Sequence, residues 1–201
     1  SEMCIRDRYG KIFSVIELKK YISTVPCIVA AIYTVWYMHF GTAYKNEGAL
    51  STIGLERRGY FVIWGVLTIA ALCINITLAY KRYTKTKAYI PLLVISAIGM
   101  IMTLCFDFDF DEKVQYYLHC AGSLIFSAVT GISVFVLFLL NFKKEKIFKA
   151  FTVITAMILL GDFVLLLIYQ ETGLIETVPI FAGYIMLAVI NTRSDKVEIF
   201  G

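Results

Sequence analysis

The 201 residues are 59% hydrophobic, with a mean hydropathy of +0.76 and a net charge of +4. That composition excludes an ordinary soluble domain. Charges sit in short gaps between six apolar runs instead of forming a basic patch, which excludes a nucleic-acid partner.

In chain order, residues 1–8 (SEMCIRDR) read as translated sequencing-adapter read-through and are set apart from the fold. Residues 9–20 form a basic, partly amphipathic lead-in. Six runs follow, at 21–40, 61–80, 89–106, 117–140, 150–169 and 173–190. Each meets or approaches the roughly 20 apolar residues that a helix needs to cross a hydrocarbon core. Strand alternation is absent, which removes a barrel. The expected fold is therefore all-α, a polytopic integral membrane bundle of six transmembrane helices forming one domain over 21–192, with a tail at 193–201.

Fifteen of the 19 Lys and Arg residues fall on one side of that frame, in the lead-in, the second and fourth gaps and the tail. The asymmetry predicts both termini in the cytoplasm, here of a bacterial cytoplasmic membrane. Trp36, Tyr37, Trp64, Tyr116 and Tyr117 sit near the outer ends of their spans, where amphipathic rings prefer to lie. The longer loop, 41–58, lies outside, as does the acidic run Asp107, Asp109, Asp111, Glu112. Its alternation with Phe106, Phe108 and Phe110 suggests an interfacial segment with rings in lipid and acids in water.

Small residues recur every four positions in two spans. Ala71, Asn75 and Ala79 mark one face of span two, and His119, Ser123, Ser127 and Gly131 one face of span four. Both read first as packing stripes, with Asn75 an interhelical hydrogen-bond donor.

Ionisable residues inside spans are few and point to function. Asp162 lies about 18 Å along span five, just past the midplane. His39, His119 and Glu176 belong to outer span ends. Together with Ser123, these four residues are expected to line one outward-opening pocket. For Asp162 the competing reading is a packing role, its carboxyl protonated or bonded to a neighbouring Ser, Thr or Tyr. Two histidines in total give no zinc site of the usual three-histidine kind. The five cysteines include no CxxC pair, and no nucleotide-binding motif occurs. No cofactor or metal is expected.

The outer passage Ala49-Leu50-Ser51-Thr52-Ile53-Gly54 leads into a span opening Arg58-Gly59-Tyr60-Phe61, and span four opens Leu118-His119-Cys120-Ala121-Gly122 with Phe126 beyond. With the six spans, these motifs resemble the Frag/DRAM/Sfk type of membrane protein and its six-helix bacterial relatives. Glu176 fits the acid that begins the last span of that family, although Thr177 stands where an aromatic usually follows. The resemblance implies lipid remodelling or membrane homeostasis, and makes His119 and Glu176 the positions of most interest. The expected partners are membrane lipids and a lipid or small-molecule ligand, in a binding protein rather than an enzyme. Two alternatives stay open: a small transporter or transporter subunit using Asp162, and a structural or signalling membrane subunit. The oligomeric state is not legible.

Overall fold

Backbone in a hydrocarbon environment must satisfy its own N–H and C=O groups, and a helix does so within a single segment. The computed structural model describes residues 2–84 and 86–193, with side chains from Lys20 onward. The side-chain character of the basic lead-in and the tail after Arg193 lie outside the described residues. Seven α-helices form: α1 (Glu2–Met38), α2 (Leu50–Glu56), α3 (Arg58–Tyr83), α4 (Tyr89–Cys105), α5 (Lys113–Leu140), α6 (Lys146–Tyr169) and α7 (Gly173–Thr192). Among the described residues, five segments are long and apolar enough to cross a membrane, namely Lys20–Met38 of α1 and the whole of α3, α5, α6 and α7. Helix α4 is apolar but only 17 residues long.

Several helices overrun the apolar runs. Helix α3 takes in Arg58, Lys81 and Arg82, and α5 begins at Lys113, because long basic side chains reach the polar boundary from within the last helical turn. Helix α6 is the least enclosed: Met157, Leu160, Phe163 and Leu167 each leave more than half of their surface uncovered. In water such a face would aggregate, whereas in a bilayer it is the lipid-facing side.

The tightest helix pair is α4 with α5. A Cβ on Gly99 would stand 2.6 Å from Phe126 N and 2.8 Å from Gly122 O, and one on Gly122 would stand 2.7 Å from both Gly99 O and Thr103 N. Two glycines thus let the backbones touch, the small-residue solution to packing where lipid supplies no hydrophobic drive. Ser96 and Thr130 bond across the same seam at 2.5 Å. This seam is not the stripe expected from sequence. His119, Ser123, Ser127 and Gly131, four residues apart, lie on another face of α5 and line a cavity.

Helix α1 packs on α3 and α7. All three meet at Asn75, whose amide donates to Ser23 O at 3.0 Å and whose Oδ1 accepts from Ser23 Oγ at 2.5 Å and Asn191 Nδ2 at 3.0 Å. At the same end of the bundle Arg82 donates to the carbonyls of Ile190 and Asn191, capping the negative end of α7.

The loop expected over 41–58 is folded. It carries a 3₁₀ turn (Asn46–Gly48) and α2, and it is welded to the α6–α7 turn. Leu174 N donates to Ala43 O at 3.0 Å, and the Asn46 amide donates to Tyr169 O and Glu171 O at 3.1 and 2.8 Å. Those two carbonyls flank Gln170, a non-glycine residue at φ 61°. A Cβ on Gly173 would come within 2.5 Å of Gly48 O, so a glycine is required where the two segments cross.

Candidate functional site

Helix α6 contacts α5 on one side and α7 on the other, while α5 and α7 barely meet. The space between these three helices, backed by α3, is a cavity of about 310 Å³. Its walls are mainly apolar, with Phe61, Trp64, Leu72, Leu159 and Met186 among them. The ionisable groups His119, Asp162, Glu171 and Glu176 gather toward the end that carries α2, with Ser51 and Ser123 beside them, while Thr130 and Thr155 are among the polar residues farther along the wall. Leu124 and Ser127 on its wall are exposed, so the cavity opens along the middle of α5.

Four of the five residues singled out from sequence line this space: His119, Ser123, Asp162 and Glu176. His39 does not. It is exposed at the end of α1, and its ring neighbours Phe40 with centroids 6.4 Å apart. The register of α1 sends Tyr37 inward, fully buried with its hydroxyl donating to Leu50 O at 3.0 Å, and turns His39 outward.

His119 is 1% exposed and firmly held. Its Nδ1 lies 2.9 Å from Phe106 O. A carbonyl only accepts, so Nδ1 carries the proton. The ring stacks on Phe61, with centroids 5.9 Å apart, and meets Phe108 at 5.2 Å. Phe108 is itself 6% exposed, so the acidic run does not present all its rings to lipid: Phe108 turns in over His119 while Phe110 stays exposed. Arg58 secures the same corner through an ion pair with Asp107 at 2.7 Å and bonds to the Leu104 and Phe106 carbonyls.

Glu176 has a specific structural task. Helix α2 begins after Ala49, whose side chain offers no cap. The Glu176 carboxylate takes that place from 126 residues away, accepting from Leu50 N and, at 3.0 Å, from Ser51 Oγ. Ser51 Oγ also lies 3.4 Å from Glu171 Oε2. Glu171 stands in the α6–α7 turn, where burial pushes its carboxyl above the usual carboxylate range and the Ser51 hydroxyl opposes that shift. The sequence left Glu171 in the gap between spans five and six and singled out Ser51 only within the outer passage that carries the family resemblance. No local signal announces that the loop folds back over them.

Asp162 has no hydrogen-bond or ion-pair partner among the described residues. A packing role through a bond to Ser, Thr or Tyr is therefore not what the structure shows. Pro179 lies seven residues into α7 and on the cavity wall. Lacking an N–H, it leaves the carbonyl of Ile175, one turn earlier on the same wall, without its helical donor. Among the described residues no three His, Cys, Asp or Glu side chains are arranged to hold a metal ion, and Cys27, Cys73, Cys105 and Cys120 are free thiols.

Comparison with protein-family models, with curated proteins and with solved structures finds no match to this chain. The likeness to Frag/DRAM/Sfk-type proteins rests on its motifs alone.

Proposed function

We propose that this is an integral membrane protein of six spans that binds a lipid or small amphiphile in the cavity between α5, α6 and α7. The observation that carries this reading is the cavity's polarity gradient. A volume of about 310 Å³ enclosed by apolar walls at the depth of the spans has its ionisable groups collected at one end. Small-ligand pockets begin at about 300 Å³ and typically pair apolar walls with a few placed polar groups. One end suits a hydrocarbon chain and the other a head group, with Leu124 and Ser127 at an opening that faces lipid.

Six spans include α4, whose 17 residues cover about 26 Å and suffice for a membrane of ordinary thickness. Its glycine seam with α5 supports the same reading, since a helix held that closely shares its partner's depth. The distribution of Lys and Arg favours both termini in the cytoplasm of a bacterial cell, which places α2 and the polar end of the cavity on the outer side. Membrane homeostasis or lipid remodelling, implied by the Frag/DRAM/Sfk resemblance, agrees with a lipid-binding cavity.

Native mass spectrometry from nanodiscs tests the proposal. Wild-type protein should retain a lipid or added amphiphile, and Ser127→Trp, which puts a ring in the opening, should not retain it while folding normally. A wild type that carries nothing over overturns the reading.

A second reading, transport, is favoured by two particulars: Asp162, without a partner among the described residues, and a proline inside α7, Pro179, on the same cavity wall. Proton or cation flux into liposomes that Asp162→Asn abolishes would support it over simple binding.

A further inference from the structure

The charges on the cavity wall narrow the ligand class, resting on the amphiphile reading just given. Its charged side chains are all carboxylates, Asp162, Glu171 and Glu176, and neither Lys nor Arg lines it. Arg58, at the same end of the bundle, is engaged with Asp107 and two carbonyls and does not reach the wall. We propose that the head group taken up here is a cation, an ammonium borne on an apolar chain.

Hydrogen-bond accounting points the same way. Glu176 is committed to the start of α2, and His119 donates its Nδ1–H to Phe106 O. What remains on offer is chiefly accepting capacity: the Asp162 carboxylate, which has no partner among the described residues, the carbonyl of Ile175 that Pro179 leaves without its helical donor, and Glu171 beyond a long 3.4 Å contact, while the Ser123 hydroxyl can donate as well as accept. A phosphate or carboxylate head would bring more negative charge to a wall without a cation. A neutral head would leave Asp162 as an uncompensated charge at membrane depth. An ammonium supplies both the missing charge and N–H donors. The chain then runs from Asp162 along Ile158, Leu159 and Thr155 of α6, with Leu72, Val134 and Met186 facing it across the cavity.

Trp64 lies on the cavity wall, and the chain has only one other tryptophan, Trp36. The Trp36→Phe protein therefore reports on the cavity through its single remaining indole. It would be titrated at pH 7 in phosphatidylcholine nanodiscs with dodecylamine, dodecanol and dodecanoate, with partition into empty discs subtracted. The expected result is dodecylammonium binding at least about tenfold more tightly than dodecanol, and dodecanoate more weakly than either. Adding Asp162→Asn should bring dodecylammonium to within about twofold of dodecanol, while Asp162→Glu keeps the preference. If dodecanol or dodecanoate binds as well as dodecylammonium, the cationic head group is overturned and the amphiphile reading stands. If none of the three perturbs Trp64, both fall. The comparison of the three ligands decides the matter even if the Asp162 variants fold poorly.

Discussion

Adding one methyl group at Gly122 should loosen the α4–α5 pair, as should the same change at Gly99 across the seam. The new Cβ would lie 2.7 Å from Gly99 O, Met102 Cβ and Thr103 N, about 0.7 Å inside ordinary contact at 3.4 Å. Two of the three atoms are backbone, so no side-chain rotation relieves the clash and the helices must part. Separation by 0.5–1 Å forfeits about a quarter to a half of the dispersion energy of each contact across the seam, and it stretches the 2.5 Å bond between Ser96 and Thr130. Overpacking of this kind destabilises by about 1–3 kcal/mol. Gly161→Ala is the matched control, because nothing lies within 4 Å of its Cβ and the change adds only helix propensity, worth at most about 1 kcal/mol. Thermal unfolding in the same detergent should therefore place Gly122→Ala about 2 kcal/mol below wild type, roughly 4–8 °C in Tm for a chain of this size, with Gly161→Ala at or slightly above wild type. Gly131→Ala should fall between them, since its 2.5 Å clash is with the tip of Leu159, which can move. A Gly122→Ala protein that melts with Gly161→Ala would refute the seam.

Three other outcomes follow from named contacts. Asn75→Ala removes the bonds joining α1, α3 and α7 and should lower stability by about 1–2 kcal/mol, as read by the same melts, since several interhelical polar contacts worth about 0.6 kcal/mol each are lost together. Glu176→Ala should leave Leu50 N without its acceptor and destabilise α2 locally by about 1–2 kcal/mol, so that amide exchange in Leu50–Glu56 speeds up about fivefold or more while the span amides hold; Glu176→Gln should retain most of that protection. Glu171 has a folded-state pKa above its unfolded one, so the folded protein binds the extra proton. Its contribution favours folding at low pH and is lost as pH rises from the ordinary carboxylate range through the raised value, and the Tm difference between wild type and Glu171→Gln should change with that sign across the window.

The apolar runs were legible because a helix long enough to cross a bilayer must be written as a nearly unbroken hydrophobic stretch. Lipid cannot solvate a charge in its middle, so Asp162 stood out at once. Asn75 was legible as an interhelical bond for the same reason. Where reasoning from spacing went astray, two answers were equally consistent with the local pattern. Span four carries small residues on two faces, and only the position of Gly99 on α4 decides that Gly122 is the packing face and that the His119 to Gly131 stripe borders the cavity. Phe106, Phe108 and Phe110 alternate, yet Phe108 alone turns inward because His119 offers it a partner.

The polar end of the site was the least accessible to sequence. Hydropathy registers the loop at 41–58 only as polar, and nothing within it shows that Gly41, Gly48 and Gly173 permit it to lie against the α6–α7 turn, or that Glu176 caps α2 from the last helix. Helix formation and burial in lipid are set by neighbours within a few turns, so composition and periodicity alone determined the elements and their membrane character. Which faces meet, which carboxylates are taken up as structural acceptors and which one stays unpartnered on a cavity wall depend on residues more than a hundred positions apart. Only their tertiary arrangement settled those points.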